Sequence, residues 1–298
     1  MKNQAMRRTG ILSMLFALIF VTTGWISAQN KPEVLLRIDD IGMNHAVNTA
    51  IEDVCKTGIS VNVSVMFACP WYQEAVEILK KYPNATIGIH LVLTSEWRYY
   101  RWGPITGASA VPSLVDSLGY FFKNEAEFLQ SNFSLEDVEK ELTAQIERAL
   151  QSGLTISYMD PHMGVALLTP QLSELTQKLA AKYGLGISTL GRNTFYNESY
   201  KDMWAIPVEQ KQDEFLKHLN NLKTDQPNLV ILHIARRDPE MEILEMHNFL
   251  ERQKGVPMVG RHRQAELDML LSAEFQKKVG KNFHLINYKE LIKRSEKR

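Results

Sequence analysis

Cysteine is nearly absent from this chain. Its 298 residues include two, Cys55 and Cys69, too few for a disulfide-stapled scaffold. Cys55 falls in an expected helix and Cys69 just after an expected strand, so a single bridge and two free, partly buried thiols both stay open. A charge excess is missing too. The 34 basic side chains balance 34 acidic ones, and a formal net charge of +0 offers no electrostatic argument for a nucleic-acid partner. There is no internal repeat, no linker-like stretch and no break in composition to mark a second folded domain. Apolar residues make up 45% of the chain, ordinary for a globular protein with a sizeable core.

One apolar run, Ile11 to Trp25, follows Lys2, Arg7 and Arg8 and precedes the small residues Ser27 and Ala28. This is the layout of a secretory signal peptide, and the run is short for a membrane span. Cleavage after Ala28 is expected, although Ile26 is not the usual small residue three places before the cut. No cysteine lies nearby to carry a lipid. The expectation is a signal peptide at residues 1–28 and a mature domain at 29–298, exported to the periplasm or beyond, with no stable membrane span after cleavage.

The mature chain is organised around Val34-Leu35-Leu36-Arg37-Ile38-Asp39-Asp40-Ile41-Gly42-Met43-Asn44. A short apolar run ending in two carboxylates and a glycine reads as a buried strand. Carboxylates at such a strand end need water, a metal or a hydrogen-bond network. In α/β folds that end of the sheet is where active sites are built. The plainer alternative is that one aspartate caps the next helix. Three further strand-like runs end in or just before a histidine: Ile87 to His90, Ile156 to His162 and Leu229 to His233. Parallel strands bring their carboxyl ends to one face. One carboxylate and two imidazoles make a metal-ligand set with room for water, and the other carboxylate is then free to act as a base. Adjacent side chains on a strand point to opposite faces, so the two aspartates are expected to have unequal jobs.

Apolar periodicity places helices at 44–56, 71–81, 134–151, 171–183, 210–222, 240–250, 266–279 (broken near Ser272) and 288–294. Strands are expected at 34–39, 61–66, 87–93, 155–159, 186–190, 229–233 and 283–286. Ser134 and Asp137 are expected to form a capping box, and Thr169-Pro170 to open the following helix. About seven strands alternating with helices, with chemistry-bearing residues spread along them, give an α/β class and one barrel-like domain. Residues 94–134 break the alternation. This stretch carries Trp97, Tyr99, Tyr100, Trp102, Tyr120, Phe121 and Phe122, which serve either as a platform for sugar rings or as packing that holds the insertion to the body.

Taken together, these residues resemble the YdjC-like carbohydrate deacetylases, relatives of the NodB-type polysaccharide deacetylases. The resemblance rests on Asp39-Asp40-Ile41-Gly42, Gly88 to Thr94, Val111-Pro112-Ser113-Leu114 with Gly119-Tyr120-Phe121, Asp160-Pro161-His162, and Arg261 to Phe275 with Asp268. It implies a single distorted (β/α) barrel, one divalent metal ion with zinc or magnesium foremost, and removal of acetyl groups from N-acetylated sugars such as chito-oligosaccharides. It also implies Asp39 as catalytic base, Asp40, His90 and His162 as metal ligands, and His233 as general acid. There are departures. Met163, Gly164 and Ala166 stand where the family motif is richer in histidine, and Ile234 follows His233 where proline is usual.

The chemistry is consistent with these residue types. Water is a poor nucleophile and an amide a poor electrophile, and a divalent ion helps with both. A base takes the proton of water, and an imidazole can give one to the leaving amine. Imidazole and carboxylate ligands suit zinc, and also nickel, cobalt or iron, better than magnesium. The expected partner is an acetylated sugar or oligosaccharide, with a homodimer left open. Two alternatives stand beside this: a metallohydrolase on the same barrel acting on another amide or ester, and a non-catalytic sugar-binding protein. Retention of Asp39 and the ligand set argues against the second. Arg236 and Arg237 either meet an anionic sugar or are simply solvated, and His45 either touches substrate or is a surface histidine at the start of a helix. His218, His247, His262 and His284 show no partner pattern.

Overall fold

Among the described residues, eight strands occur in the order β1 (Glu33–Ile41), β2 (Val61–Val65), β3 (Ala85–Leu91), β4 (Ile156–Pro161), β5 (Gly186–Ile187), β6 (Asn197–Glu198), β7 (Asn228–Leu232) and β8 (His284–Ile286). Between and after them run α1 (His45–Lys56), α2 (Tyr72–Leu79), α3 (Glu125–Gln130), α4 (Leu135–Gln151), α5 (Pro170–Tyr183), α6 (Lys211–Leu219), α7 (Pro239–Glu242), α8 (Val259–Leu271), α9 (Ala273–Lys278) and α10 (Tyr288–Ser295). The computed structural model describes residues 31–188, 197–198, 206–244 and 259–295, so the expected signal peptide lies outside the described residues.

Among the described residues these strands pair in parallel, in the spatial order β5-β4-β3-β2-β1-β7-β6. β8 lies beside the first three residues of β1, with Glu33 to Leu35 against His284 to Ile286. This is the sheet of a distorted (β/α) barrel. Its strands are nearly continuous apolar runs because both faces are covered. β1 is buried from Val34 to Ile41 and β2 throughout. Alternate residues serve two different cores. Val34, Leu36 and Ile38 pack outward with the helices. Leu35, Tyr158, Leu229 and Ile286 pack with Tyr288 and Leu291 of α10 in a separate inner cluster. Within it the Tyr158 and Tyr288 rings lie 4.1 Å apart, and the Tyr158 hydroxyl is 3.1 Å from that of Ser64. Gly88 stands in register with Tyr158, and a Cβ there would sit 2.4 Å from the tyrosine ring. Asn62 is buried but satisfied, donating to Leu36 O and accepting from Tyr288 N.

Helix ends follow the expected chemistry in most places. Asn44 caps α1, Thr169 caps α5 by accepting Leu172 N–H, and Gly184 ends α5 at φ 64°. The capping box at α4 differs. Ser134 accepts Glu136 N–H, but Asp137 turns to the insertion and accepts both the N–H and the hydroxyl of Ser113, at 3.1 and 2.7 Å. The Ser113 hydroxyl in turn accepts Ser134 N–H at 2.9 Å, so a tertiary contact completes what the local box leaves undone. The helix expected at 266–279 extends back at least to Val259, where the described residues resume, and is broken at Ser272, which caps α9. Of the helix expected at 240–250, Pro239–Glu242 is present, and residues 245–250 lie outside the described residues. The strand expected at 186–190 spans Gly186–Ile187, with residues 189 and 190 outside the described residues.

The insertion at 94–134 is mostly glued down. Trp97, Trp102 and Phe121 are at most 4% exposed, and buried Glu141 of α4 accepts the N–H groups of Ile105 and Thr106. Tyr99 and Tyr120 stay out, 75% and 38% exposed. Cys55 and Cys69 are both free and buried, and burial pushes the Cys55 thiol up to about 12. Among the described residues no helix is long and apolar enough to cross a membrane.

Candidate active site

Asp39 and Asp40 do not point apart as a regular strand would require. The β1–β2 register slips between Ile38 and Ile41, and Asp40 adopts φ 70°. A bulge of this kind re-aims a side chain, and aspartate tolerates the left-handed region better than most residues. Gly42 follows at φ 94°, where a Cβ would meet Met66 O at 3.1 Å. Both carboxylates therefore line one cavity of about 270 Å³ at the carboxyl end of the sheet, with His90, His162 and His233. All five residues singled out from the sequence are brought together.

Three of them converge tightly. His90 Nε2 lies 3.4 Å and His162 Nδ1 3.6 Å from Asp40 Oδ1, and the two ring nitrogens are 3.2 Å apart. Asp40 Oδ1 is buried and accepts no hydrogen bond among the described residues. An orphaned carboxylate oxygen facing two imidazoles fits a divalent cation. Asp39, His90 and Asp160 form a second close group. There a cation is already built in. Arg37 donates Nε and Nη2 to the two oxygens of Asp39, both at 2.9 Å, and its Nη1 lies 2.6 Å from Asp160 Oδ1. The first group, not the second, is the one suited to a metal.

Neighbours surround each candidate ligand. Asp160 Oδ2 lies 2.8 Å from His90 Nδ1 as a close charge contact outside hydrogen-bond alignment, while Nε2 faces Asp40. Glu96, from the insertion, lies 2.9 Å from His162 Nε2 and so presents Nδ1. Ser188 donates to Asp160 Oδ1. Burial would raise the Asp40 carboxyl, but Arg263, His90, His233 and His162 hold it well below the usual range. Burial likewise opposes ionisation of Asp160, and Arg37, His90 and Ser188 prevail and lower it. Burial would lower His90, yet Asp39, Asp160 and Asp40 push it up to about 10. A metal would have to displace that proton.

His233 follows β7 and is half-buried at the cavity wall. Its backbone N–H donates to Glu266 at 2.7 Å, and the other oxygen of Glu266 holds buried Lys211 at 2.7 Å. Met163 and Gly164, two of the departures from the family pattern, line the cavity, and Ala166 is buried away in the core. Arg236 and Arg237 are exposed and paired with Asp53 and Glu242. His45 is exposed and paired with Glu74 at 2.7 Å. Asp268 is exposed and accepts from Gln264.

Sequence reasoning missed Arg37, Glu96, Arg263 and Glu266. Arg37 was within reach: it is two residues from Asp39, and the period of a strand puts the pair on one face. Glu96, Arg263 and Glu266 come from an irregular insertion and a late helix, and no local pattern announces where those dock.

Comparison with known proteins places the chain in a family. The family model described as YdjC-like protein matches residues 33–281. A carbohydrate deacetylase of Vibrio cholerae serotype O1 is 28% identical over 272 residues, 87% of this chain and 96% of the relative. Carbohydrate deacetylase 1 of Listeria innocua serovar 6a is 32% identical over 157 residues, 52% of this chain and 60% of the relative. A crystal structure from Enterococcus faecalis V583, provisionally described as a cellobiose-phosphate cleavage protein, superposes with a TM-score of 0.66 at 25% identity, covering 88% of this chain and 99% of the other. The matched span runs from the first residue of β1 to beyond α9 and takes in every residue of the cavity described above, and on that ground the chain belongs to the YdjC-like protein family.

Proposed function

We propose that this protein is an exported, metal-dependent carbohydrate deacetylase that removes acetyl groups from N-acetylated sugars or oligosaccharides. The observation that carries the reading is Asp40 Oδ1, buried and unpartnered between His90 Nε2 and His162 Nδ1, in a cavity that also holds a second carboxylate and a third imidazole. The relatives in Vibrio cholerae and Listeria innocua, both named carbohydrate deacetylases, supply the substrate class.

Asp40, His90 and His162 would hold the ion, and one carboxylate with two imidazoles favours zinc. When bound, such a cation lowers the pKa of water and stabilises negative charge on an acyl oxygen. Asp39 takes the proton that the attacking water loses. Arg37 uses one lone pair on each Asp39 oxygen and leaves each a second, so the carboxylate is fixed in place and can still accept. Cleavage of the C–N bond needs a proton on nitrogen, and His233, across the same cavity, delivers it.

The decisive experiment is an acetate-release screen over N-acetylated and O-acetylated mono- and oligosaccharides, with metal content measured on the same sample. Acetate from N-acetyl sugars and about one ion per chain is expected. Release from esters alone would replace the amide reading with an ester one, and no release from any acetylated sugar would end it. Export has its own check: the protein recovered from its host is expected to begin near Gln29.

A further inference from the structure

The cavity is electrically divided. On one side the unmet need is for a cation, at Asp40 Oδ1. On the other side it is for an anion. Arg263 of α8 is 2% exposed and lines the cavity. Its Nη2 donates to Asp40 Oδ2 at 2.6 Å, but Nε and Nη1 have no partner among the described residues. The indole N–H of Trp97, in the same wall, is also buried and unpartnered. The guanidinium lies over the Trp97 ring, 5.6 Å from its centre, which covers one of its faces. A charged group buried with unmet donors is costly, and a ligand that supplies acceptors removes that cost.

Resting on the deacetylase reading, we propose that Arg263, with Trp97 beside it, is the oxyanion-recognition site of this cavity. Its ligand is a negatively charged oxygen: the acyl oxygen as it gains charge, and then the carboxylate of the released acid. A carboxylate carried on the sugar itself would present the same chemistry. The acyl group is the better match, because Arg263 bonds the second oxygen of the carboxylate that would carry the ion. Its free N–H groups therefore border the reacting centre and not a distant ring position. Glu96 and Asp160 flank the two imidazoles, and Arg263 beside them adds a fixed positive charge to the stabilisation of the acyl oxygen that a bound ion would supply.

Acetate is the probe. Carbon-13-labelled acetate is titrated onto the full mature protein, metal-free and zinc-loaded, and followed by NMR line width. The same is done for Arg263→Met, which removes the charge, and Arg263→Lys, which keeps one charge for Asp40 but loses the planar donors. Metal content is measured for each. Acetate affinity is expected to fall about tenfold in Arg263→Met with and without zinc, and less in Arg263→Lys, while zinc content holds. Turnover of a neutral N-acetyl oligosaccharide and of an acidic N-acetyl sugar should fall by the same factor. A loss confined to the KM of the acidic sugar would keep the anion site and assign it to the sugar substituent. Unchanged acetate binding with zinc retained would overturn the proposal, as would loss of zinc in both variants, since Arg263 would then act only through Asp40. If acetate binding falls as expected but the unaltered protein releases acetate from no sugar, the anion site stands and the substrate reading fails.

Discussion

Asp39 and Asp40 share a cavity but answer to different cations. Asp39 is tied to Arg37 through both oxygens, whereas Asp40 is tied to Arg263 through one and has the other unpartnered. Asp40→Asn keeps a residue that tolerates φ 70° and removes the anionic ligand, so the bound ion should be lost and turnover with it. Asp39→Asn should keep the ion and lose turnover by about 10²–10⁴-fold, the scale of a missing general base. Metal content read beside turnover separates the two; the opposite pattern would swap the roles. A pH effect follows from His90. Its pKa rises from 6.5 to about 10 in the metal-free site, so its contribution to stability is full below 6.5 and is lost as pH climbs through about 10. Metal binding must expel that proton. Affinity for zinc should therefore strengthen by up to about tenfold per pH unit between pH 7 and 9, measured by competition with a chelator of known affinity. An affinity flat across that range would mean His90 holds no proton for the metal to displace. At this scale the strand-end residues were legible because a strand end fixes where a side chain goes. The bulge that turns Asp40 inward was not, because it depends on β1 slipping against β2.

At the level of elements, the inner rows of the barrel set limits that composition does not show. Gly88 reads as an ordinary strand glycine, yet its place is dictated by Tyr158 on the neighbouring strand. That ring cannot easily retreat, since it lies tilted against Tyr288 and meets Ser64. Gly88→Ala should destabilise the fold by about 1–3 kcal/mol, the usual cost of overpacking, seen as a lower urea midpoint at unchanged slope. Adding Tyr158→Leu to Gly88→Ala should recover part of the loss, giving a double-mutant coupling energy. Purely additive losses would mean that the contact is not the cause. Helices with their own caps, such as α1 and α5, were legible from the sequence to within a residue or so. The turns of α8 ahead of Glu266 were not, because their apolar pattern is weak and the buried polar residues Arg263 and Glu266 serve the cavity. Asp137 shows the same limit: a local rule predicts a local partner, and a residue of the insertion, Ser113, competes for it.

Across the whole molecule, the proposed ligand set would add one more tie between distant parts of the chain at a face where Arg37 already bridges β1 to Asp160 of β4. Asp40 comes from β1, His90 from β3 and His162 from just beyond β4, while Glu96 fastens the insertion to His162. Without an ion, Asp40 carries an unpaired oxygen between two imidazoles at the open end of the sheet. An ion that binds the folded chain and not the unfolded one stabilises it by mass action, about 4 kcal/mol at a thousandfold excess over its dissociation constant. For a chain of this size that is worth on the order of ten degrees in Tm. Zinc added to the metal-free protein should thus raise Tm by several degrees or more. The rise should vanish in Asp40→Asn, persist in Asp39→Asn, and shrink as pH falls and protons compete for His90. Scanning calorimetry of the three proteins, metal-free and zinc-loaded, checks all of this in one experiment. If Asp40→Asn keeps the full rise, the ion is bound elsewhere. If Asp39→Asn loses it, Asp39 belongs to the ligand set, and its tie to Arg37 must open when the ion enters.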